Sequence, residues 1–410
     1  MKNYFSPAVV ISLLITLAGC SNPVNISSPA NKNSFDLEKQ VVTSSQSFGL
    51  NLLMQVNETA ADTNIFISPF SVSTALGMTI NGANGETYSQ MKSALQLPGN
   101  SQTDVNQAYL NLNNTLAASD PTVSFTNANS IWCKQGLSFE QSFLNVNQQY
   151  FNAYVQTLDF TNNASVETIN NWANTNTNGK ITQIINSISP GTVMYLINAI
   201  YFKAAWQNKF DSLLTALTPF NLSNGRQIQC AMMYQENNLN YYQGSNYSAV
   251  QIPYGNGNYN MLIILPSSGV DVNQLLSQVN ASILNQINTG MTKKDVKLYL
   301  PRFKESFSTS LKKPLINLGM VDAFSQSADF SKISNSMPLM ISDVLHKTYL
   351  KVGEGGTEAA VVTTTVIVRL TAITPISGIV FDVDHPFIFL ITEKNSGAIL
   401  FAGKILNPLN

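Results

Sequence analysis

Charge and histidine are both scarce in this sequence. Charged residues make up 11% of the 410-residue chain, and its formal net charge of −1 offers no basic field to attract nucleic acid. His346 and His385 are the only histidines, and the sequence contains no G-x-S-x-G, H-E-x-x-H or G-x-x-x-x-G-K-[ST] motif. These absences argue against a serine hydrolase, a zinc protease and a P-loop enzyme. We expect no enzymatic activity, no catalytic residues, no metal and no cofactor.

Cysteine is nearly as scarce as histidine. Cys20, Cys133 and Cys230 are the only three, and their separation fits neither a zinc site nor a disulfide framework. We expect Cys133 and Cys230 to be buried free thiols, because isolated cysteines usually behave as small hydrophobic residues. An oxidising compartment leaves a disulfide between them open.

The N-terminus has a short apolar run but no run long enough to span a membrane. The run from Ala8 to Ala18 has about half of the ~20 residues that a membrane-spanning helix needs. It ends in Leu17-Ala18-Gly19-Cys20, which resembles a bacterial lipoprotein signal. The resemblance implies a signal peptide over 1–19, a lipidated Cys20 and a Ser/Asn/Pro-rich tether over 20–37. An ordinary signal peptide with an incidental Cys20 is the alternative.

The lipid anchor implies a place in the cell envelope. The residue after Cys20 is Ser21 and not Asp, which by resemblance favours the outer membrane. The anchored protein would lie on either the periplasmic or the surface face of that membrane. Release to the extracellular medium is a further alternative.

Apolar residues make up 44% of the sequence, enough for a large core. Helical spacing dominates the first half, from about Phe48, and strand and turn signals multiply after Val193. No repeat and no second linker divides the chain. The sequence therefore predicts one α+β domain over residues 38–410.

A series of short motifs runs in order along nearly the whole of that domain. They are Asn64–Ser71, Gly82–Thr87, Asn170–Trp172, Gly179–Ile181, Asn198–Trp206, Pro301–Phe303, Leu318–Met320, Ala328–Ser331, Ile341–Lys347, Glu354–Ala360 and His385–Phe387. Together they resemble the serpin family. The resemblance implies the serpin fold, with three β-sheets, eight or nine helices and an exposed reactive-centre loop at about residues 355–380.

The stretch after Gly355-Gly356 has physical properties that can be stated without the family. The run TEAAVVTTTVIV contains no Pro, one charge, and small or β-branched residues throughout, so it is suited to become a strand. In alternation, Thr357 and Ala359 point to a face small enough to be buried. Glu358 falls on the other face, where we expect water to solvate it. An ordinary core or edge strand is the alternative.

In serpins such a loop is cut by a protease and then inserts into the main sheet, so the resemblance implies an irreversible suicide inhibitor that acts as a monomer. Its partners are serine endopeptidases, with cysteine endopeptidases as a further class, held in a covalent acyl complex. The hinge comprises Glu354, Gly355, Gly356, Thr357, Glu358, Ala359, Ala360, Val361 and Val362. Val361 and Val362 stand where the family usually has Ala, and we expect them to slow insertion at most.

The family's spacing, counted from Glu354, places the attacked bond at Leu370-Thr371. Leu370 suits chymotrypsin-like or subtilisin-like proteases. If the attacked bond lies one residue earlier, it is Arg369-Leu370, which suits trypsin-like proteases. The stretch Val366-Ile367-Val368 suits elastase-like ones.

Five further residues match structural positions of the family. Ser68, Ser71, Asn198 and His346 are expected to form a hydrogen-bonded cluster beneath the main sheet, and Trp206 to pack where the loop first inserts. A plain core Trp206 and a general-base His346 are the alternatives. Two rival functions remain for the whole chain, a non-inhibitory carrier or chaperone and a surface adhesin.

Overall fold

Helices dominate the N-terminal part of the computed structural model, which describes residues 32–358 and 378–409. The nine helices of the described residues are α1 (Lys32–Thr59), α2 (Pro69–Ile80), α3 (Gly85–Ala94), α4 (Gln102–Ala118), α5 (Gln141–Phe151), α6 (Ala164–Asn176), α7 (Val272–Leu276), α8 (Ala281–Gly290) and α9 (Lys312–Asn317). Short 3-10 turns lie at Ser212–Leu214 and Asp322–Phe324. None of the described helices is both long and apolar enough to cross a membrane.

Strands are spread through the chain and become dense after β4. Those of the described residues are β1 (Ile65–Ile67), β2 (Ser124–Lys134), β3 (Tyr154–Leu158), β4 (Met194–Ala205), β5 (Ala216–Asn221), β6 (Gln227–Gln243), β7 (Tyr247–Tyr254), β8 (Tyr259–Pro266), β9 (Thr292–Pro301), β10 (Phe303–Ser310), β11 (Leu345–Gly353), β12 (Gly356–Thr357), β13 (Ile379–Asp382), β14 (Phe387–Glu393) and β15 (Ile399–Ile405). The mixture confirms the predicted α+β class.

The six-stranded sheet has the order β10-β11-β12-β4-β2-β3. It is antiparallel except for the parallel pair β2-β3. The two-residue strand β12 lies between β11 and β4, and no direct pairing of β11 with β4 is present among the described residues. We call this six-stranded sheet the main sheet.

The other strands form one continuous nine-stranded sheet, with β5 attached to β6 beside the main path. β6 is long enough to pair in succession with β5 over residues 227–232, with β9 over 232–241 and with β7 over 240–243. The two further sheets expected from the sequence are thus continuous through β6. β13, the first described strand after the hinge, pairs with β9 at one edge of this nine-stranded sheet.

Helix α2 lies at the centre of the molecule because its sequence is apolar on nearly all sides. Of its residues only Ala75 is not fully buried. Ser68 caps its N-terminus by accepting a hydrogen bond from the Ser71 N–H, and Pro69 supplies the preset φ of a first helical residue. The start of α2 therefore fixes Ser68 and Ser71 behind the main sheet.

Two boundaries differ from the sequence prediction. Helix α1 begins at Lys32, whereas the sequence predicted a tether up to residue 37; Leu37 and Val41 are among its buried residues. The sequence also predicts a strand over residues 341–352, and β11 begins later, at Leu345.

Candidate functional site

The first hinge residues lie inside the main sheet. Gly356 and Thr357 form β12, which pairs with Gly353 and Val352 on one side and with β4 on the other. Gly356 has φ +138°, and a Cβ there would lie 2.1 Å from the Ala204 carbonyl oxygen. Only glycine fits this position, which explains one of the two consecutive glycines.

Thr357 is fully buried, with an exposed fraction of 0%. Its hydroxyl lies 2.6 Å from the hydroxyl of Tyr254, the last residue of β7. The Tyr254 ring stacks on Trp206 with 4.2 Å between ring centroids. Thr357, the first residue predicted to point inward, is therefore buried in the main sheet, and its side-chain hydroxyl has a hydrogen-bond partner there.

Trp206 contacts the chain just before β12. Its indole Nε1–H donates to the Gly353 carbonyl at 2.8 Å, and its backbone N–H donates to the Gly355 carbonyl at 3.0 Å. The side chain is buried against Phe210 as well as Tyr254. Trp206 is thus both a core residue and a direct partner of the hinge.

Glu354 is held by a buried ion pair. The Arg302 guanidinium binds its carboxylate, and the Thr215 hydroxyl donates to the same oxygen at 2.6 Å. The Glu354 carbonyl in turn accepts from the Phe210 N–H at 3.0 Å. These bonds fix the start of the hinge against the segment between β4 and β5 and against Arg302, which lies between β9 and β10.

Glu358 corrects the prediction of a solvated side chain. Its side chain is only 3% exposed, and its carboxylate lies 3.3 Å from Lys180 Nζ, in the segment that follows α6. Burial raises the pKa of Glu358, whereas Lys180, Tyr201 and Lys203 act in the opposite direction. The prediction was wrong because β4 and the segment after α6 cover this end of the main sheet.

Glu358 also marks where the chain turns out of the main sheet. Its N–H still donates to the Lys351 carbonyl at 2.6 Å, which continues the ladder of β12. Its φ of +60° is left-handed, however, a conformation that costs a non-glycine residue free energy. The ladder therefore stops at Glu358.

The residues predicted to cluster beneath the main sheet do lie together. The Ser68 N–H donates to His346 Nε2 at 3.0 Å, and the Ser68 hydroxyl donates to the Leu400 carbonyl at 2.6 Å. The Ser71 hydroxyl donates to the Asn198 side-chain oxygen. The cluster joins α2 to β4 and β11, the two strands on either side of β12.

The asparagines Asn127 and Asn129 of β2 extend this cluster. The Asn198 amide donates to their side-chain oxygens at 2.6 and 2.8 Å, and Asn127 donates to Asn113 of α4 at 3.0 Å. Sequence reasoning missed both, although they stand at i and i+2 and so share one face of a strand. It also missed Lys180, Arg302 and Tyr254, because nothing local links them to the hinge.

His346 is a neutral hydrogen-bond acceptor. It is buried, and desolvation lowers its pKa to about 4. Nε2 accepts from the Ser68 N–H, which an imidazolium could not do. Among the described residues no hydrogen bond joins the His346 ring to a nucleophilic side chain, so the structure gives this residue a structural role.

His385 lies elsewhere, between two acceptors. Nδ1 is 2.7 Å from the Asp384 carboxylate and Nε2 is 2.9 Å from the Pro266 carbonyl. Burial acts to lower its pKa, but the bonds to Asp384 and Pro266 outweigh it and raise the pKa. A ring with acceptors at both nitrogens is suited to be charged, not to act as a base.

The cysteines behave as expected. Cys133 and Cys230 are buried and unpaired, and burial raises the pKa of each thiol to about 11. Within the described ranges no cluster of three or more His, Cys, Asp or Glu side chains could hold a metal ion.

Several predicted site residues lie outside the described residues. They are Cys20, Ala359, Ala360, Val361, Val362, Val366, Ile367, Val368, Arg369, Leu370 and Thr371. The described part of the site is therefore the root of the loop, from Glu354 to Glu358, and the polar cluster around His346.

Comparison with known proteins gives the same family along the chain. A family model described as Serpin (serine protease inhibitor) matches residues 43–408. An uncharacterized serpin-like protein of Thermococcus kodakarensis is 32% identical over 423 residues, with 98% of each chain covered. The leukocyte elastase inhibitor of Xenopus laevis is 33% identical, with 88% of this chain and 97% of its own length covered.

Solved structures resemble the fold over a similar range. The thermophilic serpin tengpin in its native state has a TM-score of 0.80 at 32% identity, covering 89% of this chain and 94% of its own. Thyroxine-binding globulin in complex with thyroxine has a TM-score of 0.81 at 28% identity, covering 90% of this chain and 99% of its own.

The neutral His346 predicts a loss of stability in acid. The unfolded chain binds a proton near pH 6.5 and the folded protein near 4, so between these values the unfolded state holds more protons. Stability should fall as pH decreases through this window, by about 3 kcal/mol from this group. Unfolding in guanidinium at pH 7, 6, 5 and 4 measures it. The matched variant His346→Gln keeps an acceptor that does not titrate, and it should show a shallower slope; equal slopes would contradict the assignment.

Proposed function

The chain belongs to the serpin family, and from this premise we propose that it inhibits serine proteases as an irreversible suicide substrate. One observation carries the proposal. Gly356 and Thr357, the second and third residues after the buried Glu354, already pair with β11 and β4 as a strand of the main sheet. The segment that follows them in sequence is the segment that would have to insert.

The ladder register supports continued insertion. Thr357 is opposite Val352 on β11 and Ala204 on β4, and both pairings are antiparallel. Each residue that follows Thr357 would therefore have one partner on each strand, one residue earlier along β11 and β4 at every step. Residues 359 to 368 contain no Pro and no charge, and the positions that alternate with Thr357 are small or β-branched. At about 1 kcal/mol net for each of a dozen backbone bonds, insertion would contribute on the order of 10 kcal/mol.

That free energy would act on the acyl-enzyme. The protease serine hydroxyl attacks the carbonyl of the scissile residue, an ester forms as the peptide bond breaks, and the serine proton is passed to the new amino terminus of the C-terminal segment. If the loop inserts before water hydrolyses the ester, the protease is carried along while still covalently attached. Cysteine endopeptidases would be trapped in the same way through a thioester.

We place the attacked bond at Leu370-Thr371 by the family's spacing from Glu354. This choice favours chymotrypsin-like and subtilisin-like proteases, with trypsin-like proteases acting at Arg369-Leu370 and elastase-like ones at Val368 or Ile367. The leukocyte elastase inhibitor among the relatives is consistent with an apolar specificity.

We also propose that Cys20 is lipidated and holds the inhibitor in the cell envelope, on the outer membrane. The signal-like residues Leu17-Ala18-Gly19-Cys20 support this location. Labelled palmitate should enter the wild-type protein in a bacterial host and not the Cys20→Ser variant. Equal labelling of both, or of neither, would remove the anchor from the account.

Thr357→Arg is predicted to turn the inhibitor into a substrate. The guanidinium would have to enter a site whose present occupant is 0% exposed, so insertion should fail and the ester should hydrolyse. Mixing with chymotrypsin, subtilisin, elastase and trypsin and running a denaturing gel measures the outcome. Wild type should give a stable adduct with at least one protease, and the variant only a cleaved band.

Ser308→Arg is the matched control, because Ser308 is exposed on the outward face of β10. It should inhibit like wild type, and thermal unfolding of each intact variant tells a folding defect from an insertion defect. Cleavage of the wild type without any adduct would favour the non-inhibitory carrier or adhesin.

N-terminal sequencing of the C-terminal fragment, separated on a denaturing gel after cleavage, locates the attacked bond. A fragment beginning at Thr371 is expected after chymotrypsin-like or subtilisin-like attack, and one beginning at Leu370 after trypsin-like attack. An adduct-forming protease that cuts N-terminal to Val366 would show that the loop is used in a different register.

A further inference from the structure

Lysines are concentrated around the point where the hinge leaves the main sheet. Lys203 lies on β4, Lys304 on β10 and Lys351 on β11, and Lys180 follows α6. Lys304 is directly opposite Lys351 in the β10-β11 ladder, so the two share one face. In a chain with only 22 Lys and Arg among 410 residues, this is a local excess of positive charge.

Glu358 is the acidic side chain that the structure places among these lysines. Its carboxylate is bound by Lys180, whose Nζ also lies 5.3 Å from the centre of the Tyr349 ring on β11. Lys304 approaches the same ring at 5.8 Å. Lys180 thus contacts both Glu358 of the hinge and Tyr349 of β11.

The ladder register gives Glu358 a second place. Val352 is opposite Thr357, so Lys351 is the partner of the next residue on that side. Ala204 is opposite Thr357 on the other side, so Lys203 is the partner there. An extended Glu358 would therefore stand between Lys351 and Lys203, and its N–H already bonds the Lys351 carbonyl.

Like charges directly opposite each other destabilise a sheet, and opposite charges stabilise it. Lys304, Lys351 and Lys203 form one row across the main sheet, interrupted where an inserted strand would lie. A carboxylate in that gap relieves the repulsion on both sides. A slip by one residue would instead turn Glu358 to the buried face, where an unpaired charge is costly.

We propose that Lys203 and Lys351 are positioning residues that set the register of the inserted strand, by receiving the Glu358 carboxylate that Lys180 holds in the present structure. This inference rests on the proposed function, because it describes the inserted state. In the first step of insertion the carboxylate leaves Lys180 and comes to lie between Lys351 and Lys203, which already attracts it in the present structure.

The experiment compares intact protein with protein nicked in the loop by a protease that forms no adduct. The urea midpoint of unfolding is measured for both, at about 0.05 and 1 M NaCl, in wild type and in Lys203→Gln/Lys351→Gln, because urea is uncharged and leaves the ionic strength to the NaCl. The control is Lys347→Gln, on the same face of β11 but opposite Val362 in the continued register. Lys347 donates to the Gln183 carbonyl, so its removal should act on intact and nicked protein alike.

Nicking should raise the midpoint of wild type and of Lys347→Gln equally. In Lys203→Gln/Lys351→Gln the equilibrium for insertion should fall about two- to fivefold per lysine at low salt. At 1 M NaCl the Debye length is about 3 Å, so the difference from wild type should largely vanish. Measuring each intact variant separates a folding defect from a smaller gain on nicking.

A charge swap gives a second, independent readout. Glu358→Lys should lower the gain on nicking further, and adding Lys351→Glu to it should restore most of the loss. No gain in nicked wild type would overturn the proposed function and this inference with it. A gain that is the same in wild type, Lys203→Gln/Lys351→Gln and the swapped variants would overturn the inference alone.

Discussion

The need of the facing edges of β4 and β11 for backbone hydrogen-bond partners is the constraint on which the site depends. Among the described residues these two strands are joined through Gly356 and Thr357, with no direct ladder between them. Their facing edges carry N–H and C=O groups that must find partners if they are buried. A chain segment that can bond both edges at once is therefore favoured, and the hinge provides the first two residues of one. The inhibitory proposal extends this ladder.

Two polar clusters fix the strands on either side of this ladder. At the hinge, Arg302 and Thr215 hold Glu354, and Trp206 donates hydrogen bonds to the carbonyl groups of the glycines on either side of it. Beneath the main sheet, neutral His346 and Asn198 join the strands to the start of α2. Buried polar networks of this kind are directional, so they favour one arrangement of the strands over a sliding series. In the inhibitory proposal, the new strand would enter the sheet between these two clusters.

The sequence was sufficient for the parts of the site that recur as local motifs. Ser68, Ser71, Asn198 and His346 could be grouped by resemblance, and alternation correctly put Thr357 on the buried face. The solvation of Glu358 was mispredicted, because alternation says which face a residue takes but not what covers that face. Lys180 covers it from a segment distant in sequence. The start of α1 at Lys32 was also missed, because a composition rich in Ser, Asn and Pro predicted a tether up to residue 37.

Hydrogen exchange tests the central claim most directly, because the claim concerns backbone partners. The amides of β4 and β11 that are not bonded to β2 or β10 should exchange more slowly by orders of magnitude once the loop is nicked, as the new strand pairs with them. Amides bonded to β2 and β10 serve as the internal reference. Unchanged exchange along both facing edges after complete nicking would contradict insertion into the main sheet.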